Sequence, residues 1–193
     1  MDCVRADDGC GGGWPDDALA YAEEQGVAAE ADYAYHANQT GFCRLTYPGP
    51  DDRAPVAARA DVFYEVRANG SDALLKDALW EYGPLSVAID ASPMFMQYTG
   101  GVLNDTECQT DSPNHAVLLV GYGGANESAY WIIKNSWGAA WGEDGYVRLS
   151  ANSSNACGIG MYATVPSVGK HAADTEEPSL RHVRHMAAVV EAA

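Results

Sequence analysis

The cysteine count is the feature that most limits how this chain can fold. Five cysteines occur among its 193 residues, namely Cys3, Cys10, Cys43, Cys108 and Cys157. Cysteines in a secreted domain normally pair, so an odd number leaves one thiol over. The extra thiol has three explanations: a disulfide between chains, a reactive thiol, or a partner cysteine outside this sequence. These explanations predict, respectively, a disulfide-linked assembly, a thiol enzyme and part of a longer polypeptide.

Glycosylation sequons indicate passage through a secretory lumen. Five of the eight asparagines begin an Asn-x-Ser/Thr triplet, and these are Asn38, Asn69, Asn104, Asn126 and Asn152. The N-terminus carries no apolar signal segment, and no stretch approaches the roughly 20 apolar residues of a membrane span. Secretory features without an entry signal predict that further residues precede Met1. We expect the protein in the secretory pathway, in a lysosome or vacuole or outside the cell.

The charge balance disfavours two classes of partner. Eleven basic residues against 27 acidic ones give a net charge of −16. A field of that sign repels nucleic acid and anionic membranes, so neither is an expected partner. The hydrophobic fraction of 47% is that of a globular chain, without the bias of a disordered one.

Glycine and proline divide the chain into helices followed by strands. Pro15 opens a predicted helix through residues 16–24, and Ser71 begins a second helix that closes at Gly83. Residues 27–60 are predicted to form a loop. Short runs rich in Val, Ile and Tyr predict strands at 85–89, 115–120, 130–133, 146–149 and 161–165. Helices followed by a mostly antiparallel sheet indicate an α+β fold.

The composition changes after Pro166. Residues 170–193 are rich in Ala, Glu and His, and their apolar spacing predicts a short helix from Ser179. His182 and His185 lie three residues apart, a spacing that could place two imidazoles on one face as metal ligands. We interpret the segment instead as a solvated C-terminal extension, and we assign it neither a metal site nor another function.

Two segments carry residues suited to chemistry. His115 begins an apolar strand, and Asn135 ends another, followed closely by Trp137. The sequences His-Ala-Val-x-x-Val-Gly-Tyr-Gly and Lys-Asn-Ser-Trp-Gly-x-x-Trp-Gly-x-x-Gly-Tyr resemble the histidine and asparagine segments of papain-like cysteine peptidases, close to cathepsin L. The resemblance covers about residues 2–168, because it extends to the motifs at 9–13, 83–88 and 157–159.

The resemblance implies a papain-like fold over residues 1–169, with an incomplete helical left lobe and an antiparallel, β-barrel-like right lobe. In that family a cysteine thiolate attacks the peptide carbonyl, and a histidine later protonates the departing amine. By resemblance His115 is this acid and base. Asn135 would hydrogen-bond the other ring nitrogen of His115, and Trp137 would shield that hydrogen bond from water.

The resemblance also implies substrate contacts in the cleft between the lobes. Gly12 and Gly13 match glycines whose backbone pairs with an extended peptide. A second set matches the pocket for the substrate side chain two residues before the cleaved bond: Trp14, Pro15, Ala88, Asn114 and Tyr162. We expect this pocket to be apolar, and to be shallow because Tyr162 lies at its far end.

The family's nucleophile is not found in this sequence. Its signature lies roughly 130–150 residues before the histidine, which corresponds to about 15–35 positions before Met1. The family pattern pairs four of the cysteines, Cys3 with Cys43 and Cys108 with Cys157. Cys10 then stays unpaired, because its partner is expected close to the nucleophile. One absent segment would explain both the missing nucleophile and the odd cysteine.

We therefore predict a papain-like cysteine endopeptidase domain that hydrolyses peptide bonds, and that is inactive as written because the nucleophile is absent. The implied partners are a peptide or protein substrate and a propeptide or cystatin-like inhibitor. We expect a monomer without a cofactor. Two hypotheses from other classes stand beside this one. The first is a non-catalytic homologue that binds peptides or inhibits, and the second is a secreted structural protein linked between chains through Cys10.

Overall fold

The computed structural model describes residues 2–45, 54–152 and 155–168, together with the backbone of 180–182. The helices in this part of the chain are α1 (Pro15–Glu24), α2 (Asp72–Tyr82) and the short α3 (Pro93–Met96). Its strands are β1 (Val62–Val66), β2 (Leu85–Ile89), β3 (Val102–Leu103), β4 (His115–Gly123), β5 (Tyr130–Lys134), β6 (Tyr146–Ser150), β7 (Ala163–Ser167) and β8 (Leu180–His182).

The described strands form one sheet in the order β3-β6-β5-β4-β2-β7-β1-β8. All neighbours pair antiparallel except β3 and β6, which run parallel. Strand β2 lies at the middle of the order and pairs with β4 on one side and β7 on the other. The predicted α+β class and the mostly antiparallel sheet are confirmed.

Both helices predicted from local signals are present. Pro15 is the first residue of α1, and two aspartates occupy its first turn, where a carboxylate stabilises the positive end of the helix. The Ser71 hydroxyl accepts the backbone N–H of Leu74 at 3.4 Å and so caps α2. Helix α2 ends before Gly83, whose φ of 87° suits glycine and ends the helical path.

The hydrophobic core is concentrated on the sheet. Trp131, Phe95 and Leu75 are among its completely buried side chains. A second cluster, comprising Cys43, Leu45 and Ala54, is much smaller. Helix α1 packs against β1 and β7, so the segment before it is brought to the sheet near the middle of the strand order.

The differences from the predicted elements concern strands, and the short β3 was among those not predicted. Strand β1 was not predicted, although its Val, Phe and Tyr residues are typical of a strand. Strand β7 begins two residues later than expected, at Ala163. Leu180–His182 forms a strand where a helix from Ser179 was predicted, because the outer edge of β1 offers unpaired backbone groups. The rest of the predicted helix, including His185, lies outside the described residues.

No helix in the described ranges is both long enough and apolar enough to cross a membrane.

Candidate active site

His115 and Asn135 meet at one edge of the sheet. His115 is the first residue of β4 and lies opposite Ile89 of β2. Asn135 directly follows β5, which is the other neighbour of β4. The Nε2 atom of His115 lies 2.8 Å from the Oδ1 atom of Asn135. The pairing of three strands therefore brings together two side chains that are 20 positions apart.

The surroundings of Asn135 fix which ring nitrogen carries the proton. Its Oδ1 atom also accepts the backbone N–H of Ser136 at 2.8 Å, so this atom must be the amide oxygen. An oxygen can only accept, so Nε2 of His115 is the donor in the neutral ring. Nδ1 is then the nitrogen that is free to accept a proton. Asn135 is only 8% exposed, so water has little access to this hydrogen bond.

Aromatic rings hold the histidine from one side. Trp137 stacks on His115 with ring centroids 4.8 Å apart and an angle of 28° between the planes. Phe95 presents an edge contact to both rings, at 6.3 Å from His115 and 5.8 Å from Trp137. Trp141 packs on Trp137 and Phe95, and its indole N–H donates to the backbone oxygen of Met96. The imidazole thus lies against a packed aromatic cluster.

The glycine-rich segment lines a cleft next to His115. Gly12 and Gly13 line this cleft together with His115, Asn114 and Ser136. Gly12 has a φ of 113°, and a Cβ atom on Gly13 would lie 2.0 Å from the Asp7 side chain. The backbone of Gly12 therefore favours glycine, and a side chain at Gly13 would have to displace the Asp7 carboxylate.

Four of the five residues predicted to line the substrate pocket do line one cavity. Trp14, Pro15, Ala88 and Tyr162 border a cavity of about 370 Å³, and the rings of Trp14 and Tyr162 are 5.3 Å apart. The lining continues past Tyr162 along β7 to Thr164, and includes Glu65 of β1. An apolar pocket that ends at Tyr162 was expected. The lining of the cavity also includes the polar residues Ser86, Glu65 and Thr164.

Asn114 is the predicted pocket residue that lies elsewhere. It lines the cleft next to His115 and does not border the cavity described above. Its Oδ1 atom accepts the backbone N–H of Ala91 at 2.8 Å, and its Nδ2 atom donates to the Asp90 carboxylate. The amide of Asn114 is therefore engaged with the segment that follows β2.

The cysteines pair as the family pattern implied. Disulfides join Cys3 to Cys43 and Cys108 to Cys157, and Cys10 is a free, exposed thiol. Cys10 does not border the cleft around His115, although the following Gly11 does. In the described part of the chain, the one group of three potential metal ligands contains Cys108 and Cys157. Their sulfurs are bonded to each other, so the group does not offer a metal site.

An ion pair fixes the loop between Trp137 and β6. Glu143 accepts hydrogen bonds from the Arg148 guanidinium, at 2.6 and 2.9 Å, and from the backbone N–H of Gly101. The Arg148 hydrogen bonds, followed by the one from Gly101, lower the pKa of Glu143 to about 2. The loop after Trp137 is thus attached to β6 and to the turn before β3.

Several site residues were not predicted from the sequence. Phe95 supports both His115 and Trp137, and Glu65 and Thr164 extend the cavity. An apolar residue in a short helix carries no local signal of such a role. The contribution of Glu65 depends on which strand pairs with β1. The roles of these residues can therefore be identified only from the three-dimensional structure.

Comparison with known proteins supports the resemblance over most of the chain. The family described as papain family cysteine protease matches residues 1–167. Cathepsin K of Mus musculus is 40% identical over 169 residues, which cover 87% of this chain and 49% of that protein. Digestive cysteine proteinase 2 of Homarus americanus is 39% identical over 172 residues, with 87% and 51% covered. The chain spans about half the length of these curated relatives.

Solved structures share the fold. A digestive procathepsin L 3 from the larval midgut of Tenebrio molitor superposes with a TM-score of 0.77 at 37% identity, covering 86% of this chain and 53% of that one. The bromelain protease of Ananas comosus, in complex with the E64 inhibitor, gives a TM-score of 0.74 at 36% identity, covering 86% and 74%. From the family match and these similarities, we conclude that the chain belongs to the papain family of cysteine proteases.

Proposed function

We propose that this chain provides the histidine, the asparagine and the substrate cleft of a cysteine peptidase. The observation that carries the proposal is the hydrogen bond between His115 Nε2 and Asn135 Oδ1, on a histidine that borders an open cleft. With Nε2 engaged, Nδ1 is the atom that takes the proton of the attacking thiol. The same nitrogen returns a proton to the departing amine.

The roles of the neighbouring residues follow from their contacts. Asn135 orients the imidazole and fixes its tautomer, which makes it a positioning residue. Trp137 covers the ring by stacking, so that water does not compete for the Nε2 hydrogen bond. Gly12 and Gly13 offer their backbone to an extended peptide. Trp14, Pro15, Ala88 and Tyr162 receive the side chain two residues before the cleaved bond, while Asn114 lies beside His115.

The chain as it stands should not hydrolyse peptides. All five cysteines lie in described residues; four form disulfides, and the free Cys10 does not border the cleft around His115. Hydrolysis therefore requires a thiolate that these 193 residues do not bring to His115. This thiolate would come from a further polypeptide segment that packs beside the cleft.

Two experiments test this assignment. First, the chain and its Cys10→Ser variant are assayed with a fluorogenic peptide, and neither should cleave it. Cleavage that is lost in Cys10→Ser would identify Cys10 as the nucleophile and refute the proposal. Second, the chain is joined to the nucleophile-bearing segment of the cathepsin K relative, and activity should appear.

The joined protein allows the histidine to be tested directly. His115→Ala should lower kcat/KM by about 10²- to 10⁴-fold, the usual contribution of a general acid or base. His36→Ala is the matched control, because His36 is exposed and does not border the cleft. Equal activity in His115→Ala and His36→Ala would show that the role of His115 is misassigned.

A second candidate function is a non-catalytic peptide-binding or inhibitory module. It is favoured by the absence of any cysteine thiol from the residues that line the cleft and the cavity. The joined protein separates the two functions, because a module whose cleft has lost its catalytic geometry would stay inactive after it receives the nucleophile. A structural protein linked through Cys10 would instead run as a dimer in non-reducing electrophoresis and collapse to a monomer in Cys10→Ser.

The proposed setting is an oxidising compartment, a lysosome, a vacuole or the extracellular space. Two disulfides in a chain of this size support the secretory route. We expect a monomer whose partners are peptides or proteins. The procathepsin neighbour supports a propeptide as a further partner of the cleft, and a cystatin-like inhibitor would bind the same place.

A further inference from the structure

The residues that line the cavity beside Trp14 differ in chemistry. Trp14 and Tyr162 form aromatic walls, and Ala88 adds an apolar surface. The lining also includes Glu65 and Thr164. A side chain that fills this cavity would therefore need an apolar stem and a polar tip.

Strand register brings the polar groups together. Glu65 of β1 lies opposite Thr164 of β7, and Thr164 lies opposite Ser86 of β2. Directly opposed residues project from the same face of a sheet, so these three side chains form one row. The hydroxyl oxygen of Thr164 is buried and has no hydrogen-bond partner within the described residues. Because that oxygen has no accessible surface, the charged acceptor that a ligand group would meet in this row is the Glu65 carboxylate.

The charges in the lining have a single sign. Asp16 and Glu65 are acidic, and the described residues that border the cavity include neither lysine nor arginine. Aromatic faces attract cations as well, and two aromatic rings form the walls. The net charge of the chain, −16, adds attraction over a longer range. All three contributions favour a cationic occupant.

We propose that this cavity selects a lysine or arginine side chain of the bound peptide, with Glu65 as the residue that determines the preference. The alkyl stem lies between Trp14 and Ala88, and the cationic head reaches the carboxylate of Glu65. This inference rests on the proposed function, because it assumes that the cleft beside His115 binds a peptide.

One neighbouring cation has to be tested together with Glu65. Arg181 lies opposite Glu65 in the backbone pairing of β1 with β8. An Arg181→Ala variant removes that cation while the cavity keeps both carboxylates. The preference for a basic side chain should therefore persist in this variant, and its loss would contradict the proposal.

The experiment uses the chain itself and two fluorescent peptides of equal length. They differ at one position, the residue that enters the cavity, which is arginine in one and norleucine in the other. Their affinities are measured by fluorescence polarisation at low salt. We expect the arginine peptide to bind at least about tenfold more tightly, in line with a charge-assisted hydrogen bond in a partly buried site.

Variants then assign the preference to the cavity. Glu65→Gln should remove most of the difference between the peptides by weakening the binding of the arginine peptide. Glu81→Gln, a change of the same type on an exposed residue of α2, should alter neither affinity. Equal binding of both peptides by the unaltered chain, or a preference that persists in an Asp16→Asn/Glu65→Gln double variant, would overturn the inference. The proposed peptide cleft would survive either result, whereas the absence of binding by both peptides would refute the cleft as well.

Discussion

Replacing Asn135 by alanine removes the oxygen that accepts the His115 Nε2 proton. The bond is short, at 2.8 Å, and its acceptor is buried. Nothing else in the described structure accepts from Nε2, and the aromatic cluster keeps the ring in place through Trp137 and Phe95. The variant therefore isolates the effect of the hydrogen bond on the ring tautomer.

The size of the effect follows from the usual strength of such a bond. A net contribution of about 1 kcal/mol, divided by RT, corresponds to a roughly fivefold bias toward the tautomer with hydrogen on Nε2. The Asn135 oxygen also accepts the Ser136 N–H, so the variant loses two hydrogen bonds. The free energy of unfolding should then fall by about 2 kcal/mol.

The tautomer can be measured by ¹⁵N NMR of the neutral imidazole, because protonated and unprotonated ring nitrogens have distinct chemical shifts. The proton on His115 should shift from Nε2 toward Nδ1 in Asn135→Ala. Asn135→Asp keeps an oxygen at the same position and should keep the Nε2 proton. Asn114→Ala, next to the histidine but bonded to Ala91 and Asp90, should have no effect on the tautomer.

An unchanged tautomer ratio in Asn135→Ala would refute this reasoning. It would show that the ring prefers Nε2–H without the asparagine, and Asn135 would then be structural rather than a positioning residue. A fall in stability alone does not support the role, because any buried hydrogen-bonded residue would produce one.

Other predictions concern stability. Replacing Cys108 and Cys157 by alanine should lower the free energy of unfolding by about 4 kcal/mol, from the chain entropy of a loop whose ends are 49 residues apart; a loss below about 1 kcal/mol in urea titrations would contradict this. Phe95→Ala should cost about 3–5 kcal/mol, because Phe95 is completely buried; a Tm equal to that of the unaltered chain would argue against its central place in the aromatic cluster. The lowered pKa of Glu143 means that its contribution is present above pH 4.5 and is lost as the pH falls toward 2; Glu143→Gln should therefore flatten the acid side of the stability profile, and an unchanged profile would count against the ion pair. This effect should be small, since both partners are about one-third exposed.

The sequence predicted the elements whose boundaries are set locally. Helix ends are marked by Pro15, Ser71 and Gly83 through their own backbone or capping preferences. The predicted bounds of β2, 85–89, agree with the structure at both ends. Histidine and asparagine could be assigned together because their flanking motifs are long and ordered. Local chemistry and a specific pattern were enough for these features.

The cavity shows why other features could not be predicted. Glu65 and Thr164 are neighbours only because β1 pairs with β7 in one register. No local pattern near either residue specifies that pairing, since strand register depends on the whole buried face. The same applies to Phe95, whose contact with His115 joins a short helix to the start of β4. Tertiary packing decides these contacts, and sequence spacing does not encode them.

Strand β2 borders both the proposed acid–base residue and the proposed substrate cavity. Its Ile89 lies opposite His115, and the neighbouring Ala88 borders the cavity while its N–H donates to the Tyr162 backbone oxygen at 3.1 Å. One strand therefore sets both the position of the histidine and the position of the cavity wall. A shift of β2 would displace both together, because Ala88 and Ile89 are adjacent residues of one strand. Changes in the aromatic cluster, by contrast, reach His115 without crossing β2. Substitutions in the aromatic cluster should therefore disturb the orientation of His115 without changing the side-chain preference of the cavity. Substitutions in β2 should affect both.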